Sequence, residues 1–289
     1  MSESLLFTIL IISAIGIASA VILYITARKF YVYEDPRIDR VEEALPSANC
    51  GGCGYAGCRA FAESIVKDNT LENKFCPVGG NEVMDNVAQI MGLVAEQNAP
   101  RTAVVRCNGT CEHRPKTKHY EGVQTCAIAA MHYGGETDCS YGCLGFGDCC
   151  VVCDFDAIHM NPSTGLPEVD DEKCVACGAC VKACPKNLIE LRKQMPKYRK
   201  IYVACRNTDK GGPAKKACSV ACIGCSLCEK ECKYDAITIA NNLAFIDSDK
   251  CKLCRKCVAV CPTHAIIEEN FPPPKEKPVG ENKPEAAEA

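Results

Sequence analysis

The sequence predicts an α+β protein with a single N-terminal transmembrane helix, a small mainly helical domain and two tandem modules. Three features predict this: an uncharged apolar run near the start, 26 cysteines among 289 residues, and a second half that repeats the pattern of the first. The formal net charge of −3 and the absence of tryptophan argue against a nucleic-acid-binding protein, for which a basic stripe is expected. The length allows two or three small domains.

The transmembrane helix is predicted within residues 1–30. No charged residue occurs from Leu5 to Ala27, and leucine, isoleucine, valine and alanine dominate this run, which is long enough to span a bilayer. Arg28 and Lys29 follow directly. The positive-inside rule therefore predicts a single-pass protein of the cell (inner) membrane, in contact with lipid, with the bulk of the chain on the cytoplasmic side. Four aromatic residues fit the interfacial belt: Tyr24, Phe30, Tyr31 and Tyr33.

A cleaved signal peptide is the alternative, because Ala18-Ser19-Ala20 resembles a cleavage site. However, the residues before the apolar run carry no positive charge, and the run continues past Ala20. Metal-binding thiolates also need a reducing compartment, which export would not provide. The uncleaved anchor is the favoured interpretation.

A first metal-binding domain is predicted over residues 31–98. Four cysteines follow the spacing C-x2-C-x4-C-x17-C, with glycines that let the backbone turn tightly around a metal group. They are Cys50, Cys53, Cys58 and Cys76. We expect this set to hold one 4Fe–4S cluster, with a structural zinc knot as the alternative. Helices are predicted over residues 37–45, 59–67 and 81–97, the last with Asn81 as its N-cap.

Cysteine runs further along the chain carry the spacing C-x2-C-x2-C-x3-C-P, which is typical of bacterial ferredoxins with two 4Fe–4S clusters. Two runs end in proline: Cys174, Cys177, Cys180 and Cys184, and then Cys251, Cys254, Cys257 and Cys261. A third keeps the spacing without the proline: Cys222, Cys225, Cys228 and Cys232. Disulfides suit small secreted domains and zinc favours isolated C-x2-C pairs, so the spacing favours iron–sulfur clusters.

The second half of the chain repeats the first at a nearly constant offset. Cysteines 139, 143, 149 and 153 recur as cysteines 218, 222, 228 and 232, and Val105-Arg106-Cys107 matches Val203-Ala204-Cys205. Such a repeat marks duplicated modules. We expect two ferredoxin-like modules, residues 101–195 and 200–268, with short strands near residues 157–160 and 236–239. The remaining residues, 269–289, are predicted to form a disordered tail.

In a two-cluster ferredoxin, the fourth cysteine of each run ligates the other cluster. This rule predicts four more ligand sets: Cys222, Cys225, Cys228 and Cys261; Cys251, Cys254, Cys257 and Cys232; Cys174, Cys177, Cys180 and Cys153; and Cys139, Cys143, Cys149 and Cys184. The last set is irregular, because Phe146 occupies the position that matches Cys225, and Cys139 stands in for the missing ligand. With the N-terminal set, the prediction is five 4Fe–4S clusters.

Six cysteines remain: Cys107, Cys111, Cys126, Cys150, Cys205 and Cys218. They are either buried thiols, or four of them ligate a sixth cluster, namely Cys107, Cys126, Cys205 and Cys218. An iron count separates these interpretations.

Several common sites are absent from the sequence. No G-x-G-x-x-G opens a helix after a predicted strand, and no G-x-x-x-x-G-K-[ST] occurs, so we expect no dinucleotide site, no P-loop and no catalytic residue in this chain. One basic stretch is either a solvated face or a docking site for an acidic electron carrier. It contains Lys182, Lys186, Arg192, Lys193, Lys197, Arg199 and Lys200.

The order of anchor, C-x2-C-x4-C-x17-C domain and ferredoxin motifs resembles the B subunit of the Rnf complex, the membrane-bound ferredoxin:NAD+ oxidoreductase. The resemblance covers nearly the whole chain and is most specific at residues 50–58, Cys-Gly-Gly-Cys-Gly-Tyr-Ala-Gly-Cys. The duplicated module and residues 139–145 are similar to the extended members found in anaerobes. Asp154 and Lys233 depart from the ferredoxin pattern, which places proline after the fourth cysteine.

This resemblance implies an electron-transfer subunit of a redox-driven ion pump. Reduced soluble ferredoxin would dock on the cytoplasmic modules, and electrons would pass through the clusters to membrane and cytoplasmic partner subunits, and finally to NAD+ on another subunit. Three alternatives stay open: a polyferredoxin subunit of a hydrogenase-type membrane oxidoreductase, an iron–sulfur accessory of a corrinoid methyl-transfer system, and a non-catalytic metal store.

Overall fold

The computed structural model describes residues 2–30 and 34–272. Tyr31 and Tyr33 of the predicted aromatic belt, and residues 273–289 of the predicted tail, lie outside the described residues. The helices are α1 (Ser2–Lys29), α2 (Arg37–Ala44), α3 (Cys58–Asp68), α4 (Gly80–Met91), α5 (Cys126–His132), α6 (Asp148–Val151), α7 (Ala179–Ala183), α8 (Gly211–Ala217), α9 (Leu227–Glu231) and α10 (Lys256–Ala259). The strands are β1 (Arg101–Val105), β2 (Ile158–Asn161), β3 (Leu166–Val169), β4 (Ile189–Lys193), β5 (Lys200–Val203), β6 (Ile237–Ala240), β7 (Leu243–Ile246) and β8 (Ile266–Glu269). This mixture confirms the predicted α+β class.

Helix α1 contains the predicted membrane-spanning segment. Its stretch Phe7–Lys29 has 23 residues and a mean hydropathy of 2.5, and none of it is buried inside the chain. Large apolar side chains on all sides are exposed, such as Ile12 and Leu23 at 65 % and 68 %. A helix that is apolar all round and packs against nothing suits a lipid environment. Within the described residues, it alone is long and apolar enough to cross a membrane.

Helices α2, α3 and α4 enclose a small apolar core. Phe61 and Ile65 of α3 are fully buried against Val41 of α2 and Val87 of α4. The guanidinium of Arg59 joins α3 to α2 through ion pairs with Asp39 and Glu42 at 3.2 and 2.8 Å. This packing fixes the loops that carry the first four cysteines.

Helix α4 differs from the prediction at both ends. The predicted helix over residues 81–97 ends at Met91, because Gly92 takes a left-handed conformation with φ of 69°, which favours glycine and ends helices. Asn81 is not the N-cap. Its side chain instead bonds the backbone of Asn98, accepting from the N–H at 2.9 Å and donating to the carbonyl at 3.0 Å.

Each ferredoxin-like module contains two antiparallel two-stranded sheets. In the first module β1 pairs with β4 and β2 with β3; in the second β5 pairs with β8 and β6 with β7. Strands β2 and β6 lie at the two predicted strand positions. The sequence repeat is therefore a repeat of structure.

The repeat extends to the backbone of the four cysteine loops. In each loop the second and fourth residues after the first cysteine have positive φ: Gly145 and Gly147 (81° and 80°), Ala176 and Gly178 (54° and 79°), Gly224 and Ser226 (63° and 61°), and Leu253 and Arg255 (56° and 67°). Non-glycine residues persist in this region only where the surrounding structure requires it. The loop after Cys143 keeps this conformation although Phe146 replaces the second cysteine.

The two modules contact each other through buried residues. Val104 of β1 packs with Tyr202 and Ala204 of the second module, and the N–H of Asn108 donates to the carbonyl of Ala204 at 3.0 Å. Arg192 of β4 is 4 % exposed and donates to the carbonyl of Ile246. Apolar packing and buried hydrogen bonds thus join the modules.

Candidate metal centres

The cysteines of the chain are available as ligands. All 26 are free thiols, and none forms a disulfide. Within residues 2–30 and 34–272, no group of three or more His, Cys, Asp or Glu side chains is placed to hold a single metal ion. The cysteines instead line cavities in groups of four, which is the number of thiolates that hold one 4Fe–4S cluster.

The first cavity lies in the N-terminal domain and has a volume of about 320 Å³. Its cysteines are the predicted set: Cys50, Cys53, Cys58 and Cys76. Asn49 orients this site, because its side-chain oxygen accepts from the N–H of Cys58 at 2.8 Å at the start of α3. The N–H of Gly79 donates to the sulfur of Cys76 at 3.4 Å. Such N–H···S bonds favour a thiolate ligand.

Two further cavities match predicted ferredoxin sets. One of about 360 Å³ is lined by Cys153, Cys174, Cys177 and Cys180, and one of about 330 Å³ by Cys222, Cys225, Cys228 and Cys261. Backbone N–H groups again donate to ligand sulfurs, from Ala157 to Cys153 at 3.4 Å and from Ala244 to Cys222 at 3.5 Å. Both cavities therefore combine four thiols with N–H donors.

The remaining set of the second module is also brought together. Burial, followed by the neighbouring thiols of Cys254 and Cys232, raises the pKa of Cys251. Cys257 lies close to Cys251 and Cys254 in the same way. Cys254 is exposed at the surface. The four predicted members thus lie near one another.

The irregular set differs from the prediction. The cavity beside Cys143, Cys149 and Cys184 has a volume of about 400 Å³, and its fourth cysteine is Cys126. Cys139, which the sequence assigned there, does not line it. The physical reason lies in α5, whose first residues are bonded to the Asp148 carboxylate at the start of α6, so that Cys126 lines this cavity. Burial raises the pKa of Cys126, whose sulfur lies near the backbone of Asp148 and Phe146.

Asp148 fixes the position of Cys126. Its carboxylate accepts from the N–H groups of Cys126 and Ala127 at 2.8 and 3.0 Å, and Thr125 caps the same end of α5 by accepting from Ile128. Because Asp148 begins α6, which carries Cys149, one carboxylate ties the two cysteine-bearing helices together. This contact joins residues distant in sequence, so spacing rules do not reveal it.

Cys139 instead lies near three of the six cysteines that the spacing left without a ligand set. Burial, followed by the neighbouring Cys107 and Cys139, raises the pKa of Cys218, and Cys107 also lies close to Cys205. Asn207 links Cys205 to Cys139, because its backbone N–H donates to the Cys205 sulfur at 3.5 Å and its side-chain amide to the Cys139 sulfur at 3.8 Å. The grouping predicted from sequence contained Cys126 where the structure has Cys139.

Cys111 and Cys150 belong to none of these groups of four. Cys111 is exposed, with its sulfur 3.7 Å from the carbonyl of Thr164. The Cys150 sulfur lies 4.0 Å from that of Cys149, but Cys150 does not line the cavity of that set.

Burial disfavours the charged thiolate form of several of these cysteines. It raises the pKa of Cys143 and Cys257 to about 12 and that of Cys180, Cys205 and Cys228 to about 11. Free thiols with such pKa values are neutral near pH 7, whereas a coordinated thiol is deprotonated. Metal binding would therefore release protons and supply folding energy.

The basic stretch of residues 182–200 does not form one solvated face. Arg192 is buried and paired with Glu190 at 2.7 Å. Lys200 is also buried, paired with Asp171 at 2.7 Å and Glu269 at 3.0 Å. Arg192 and Lys200 of this stretch therefore contribute to the packing of the modules.

Family comparisons agree with these cavities. Residues 45–78 match the family model described as "Putative Fe-S cluster", residues 167–190 match "4Fe-4S binding domain", and residues 221–265 match "4Fe-4S dicluster domain". Cavities lined by four thiols, N–H···S donors and these matches define an iron–sulfur electron-transfer protein.

Relatives over most of the chain identify the family. The chain is 46 % identical to the B subunit of the Na(+)-translocating ferredoxin:NAD(+) oxidoreductase complex of Acetobacterium woodii, over 92 % of this chain and 78 % of that protein. It is 41 % identical to the B subunit of the ion-translocating oxidoreductase complex of Methanosarcina acetivorans, over 92 % and 99 %. It is 42 % identical to the B subunit of the proton-translocating ferredoxin:NAD(+) oxidoreductase complex of Clostridium ljungdahlii, over 91 % and 92 %. The chain belongs to the family of B subunits of ion-translocating oxidoreductase (Rnf) complexes.

Proposed function

We propose that this subunit relays electrons through six 4Fe–4S clusters, arranged as one row that runs from the membrane-proximal domain through both ferredoxin-like modules. Bound clusters of this kind accept and donate single electrons. The observation that supports the proposal is that four cavities are each lined by four cysteines. The proposal assigns eight more cysteines to two further sets and leaves Cys111 and Cys150 without a set.

Of the first five proposed ligand sets, four each line one cavity, and the thiols of the last lie near one another. They are Cys50, Cys53, Cys58 and Cys76; Cys153, Cys174, Cys177 and Cys180; Cys126, Cys143, Cys149 and Cys184; Cys222, Cys225, Cys228 and Cys261; and Cys232, Cys251, Cys254 and Cys257. The third set replaces Cys139 of the sequence-based prediction by Cys126.

The sixth set is Cys107, Cys139, Cys205 and Cys218. Two of these cysteines come from each module, and they are equivalent under the repeat, because Cys107 matches Cys205 and Cys139 matches Cys218. This set lies where the modules meet. Three of the four thiols are buried and Cys107 is half-buried, as expected for a cluster shielded from solvent between the two modules.

The order of the sets follows from residues that neighbouring sets share. Residues 139–143 carry Cys139 of the sixth set and Cys143 of the first module, and residues 218–222 carry Cys218 and Cys222 in the same way. Within the first module, Cys149 of one set lies in α6 and Cys153 of the other follows four residues later, and Cys180 in α7 and Cys184 have the same spacing. At the other end, Cys50 of the N-terminal domain lies close to Cys177. The sets therefore form a continuous series.

The two ends of the series suggest the direction of electron transfer and the partners at each end. The anchor α1 would hold the N-terminal domain beside the bilayer, with Arg28 and Lys29 on the cytoplasmic side, where it would meet membrane-embedded partner subunits. The far end, with the exposed Cys254, would receive electrons from reduced soluble ferredoxin. NAD+ would be reduced on another subunit, since this sequence contains no dinucleotide motif.

Iron and acid-labile sulfide in the full-length chain, purified without oxygen, test this proposal. At four irons per cluster, six clusters give about twenty-four irons. An iron content of about twenty per chain, with the same value in a Cys139→Ser variant, would exclude the sixth cluster. Zinc in place of iron would overturn the whole proposal.

A further inference from the structure

We propose that Arg114 sets the reduction potential of the two clusters on either side of it, as a buried positive charge without a carboxylate partner. The two clusters are those of the Cys126, Cys143, Cys149 and Cys184 set and the Cys107, Cys139, Cys205 and Cys218 set. This inference rests on the proposed cluster ligands and adds a role for a residue that ligates nothing.

Arg114 lies against the loop that joins these two sets. Its guanidinium donates to the carbonyl of Cys143 at 2.7 Å, to the hydroxyl of Thr137 at 3.1 Å and to the carbonyl of Gly109 at 3.3 Å. A Cβ at Gly142 would collide with the guanidinium. Since residues 139–143 carry a ligand of each set, the cation lies between the two.

The hydrogen bonds of Arg114 reach backbone beside both sets. The guanidinium bonds the carbonyl of Cys143 in one set and the carbonyl of Gly109, which follows Cys107 of the other set by two residues. The residue is 9 % exposed, so solvent ions screen its field only weakly.

Arg114 differs from the other buried cations of the described residues. Arg106 and Arg192 both pair with Glu190, and Lys200 pairs with Asp171 and Glu269. Arg114 bonds only neutral oxygens. A buried charge without a counter-charge is costly, and the negative charge of thiolate-bound clusters would supply the missing partner.

The sign of the effect follows from Coulomb's law. Reduction adds one negative charge to a cluster, and a nearby fixed cation favours the reduced state, which raises the potential. Removing the charge should lower both potentials. We expect a change on the order of tenfold in the ratio of reduced to oxidised cluster at a fixed potential, which is about 59 mV for a one-electron couple.

The test is an anaerobic redox titration of the full-length protein followed by electron paramagnetic resonance. The two signals are first assigned by their loss in Cys126→Ser and Cys139→Ser proteins. Arg114→Met should lower the potentials of both clusters and leave the other four unchanged, and Arg114→Lys, which keeps the charge, should restore them. Arg59→Gln is the matched control, because Arg59 also neighbours a ligand, Cys58, but is 43 % exposed and paired with carboxylates.

Unchanged potentials in Arg114→Met protein with full iron content would overturn the inference. If Arg114→Met loses iron, Arg114→Lys decides: potentials at the wild-type value support the charge, and lowered potentials show that only the guanidinium's hydrogen bonds matter. Wild-type protein without these two signals would instead contradict the proposed clusters themselves.

Discussion

Gly52 lies directly against Cys177, across the contact between the N-terminal domain and the first ferredoxin-like module. A Cβ at Gly52 would be 3.0 Å from the carbonyl oxygen of Cys177 and 3.1 Å from its Cα, and also 2.8 Å from the Pro77 ring. Only a residue without a side chain permits this approach. The contact brings the first cluster set next to the second.

Replacing Gly52 by alanine should loosen this contact. The added methyl group must displace backbone at Cys177, so we expect faster amide hydrogen exchange around residues 49–54 and 175–178. Gly212→Ala is the matched control, since nothing lies within 4 Å of its Cβ position. Equal exchange in the two variants, at equal iron content, would show that Gly52 is not required there.

Restoring a cysteine at position 146 should rescue the loss of Cys126. Cys126→Ser should lose the cluster it shares with Cys143, because a ligand is removed. In the double variant Cys126→Ser, Phe146→Cys, the loop already has the left-handed residues of a regular site, with φ of 81° at Gly145 and 80° at Gly147. We expect the lost iron to return. Cys111→Ser, an exposed cysteine outside every set, should retain all iron.

An iron content that stays full in Cys126→Ser would contradict the assignment of Cys126. The same holds if Cys139→Ser abolishes the signal of the Cys143 cluster while Cys126→Ser does not. That result would make Cys139 the fourth ligand, as the sequence predicted.

Asp148→Ala should weaken the site by loosening the contact between α5 and α6. It removes the carboxylate that accepts from Cys126 and Ala127, and the loss of an N-terminal cap costs about 1 kcal/mol. We expect a lower thermal midpoint and faster release of iron to a chelator. Asp154→Ala, exposed and next to Cys153, should change neither. Equal release rates for the two variants would exclude a role for this cap.

The sequence predicted most of the cysteine groups that line common cavities, because ferredoxin-type cysteines follow local spacing. The cavity beside Cys50 and those beside Cys174 and Cys222 contain the cysteines that spacing assigned. Cys126 was missed because it lies between Cys107 and Cys139, in a stretch longer than the matching one between Cys205 and Cys218. The repeat did contain a signal for the sixth set, since it pairs Cys107 with Cys205 and Cys139 with Cys218.

Local periodicity also misplaced one helix end. The apolar pattern continues past Met91, but Gly92 with its left-handed backbone stops α4 there. Asn81 has a good capping side chain, yet that side chain bonds the distant Asn98. In both cases a tertiary contact or a single glycine outweighed the local preference.

Removing α1 should release the chain from the membrane without loss of clusters. No part of the Phe7–Lys29 stretch is buried in the rest of the chain, so deletion of residues 2–29 should leave the cysteine sets intact. We expect soluble protein with the iron content of the full chain. A mature protein that begins after Ala20 would support the signal peptide instead.

The most direct test of the central claim is the number of electrons that the chain accepts. Full-length protein, oxidised and free of oxygen, is titrated with a calibrated low-potential reductant. We expect about six electrons per chain, one for each proposed 4Fe–4S cluster. Protein that accepts no electrons would contradict the electron relay.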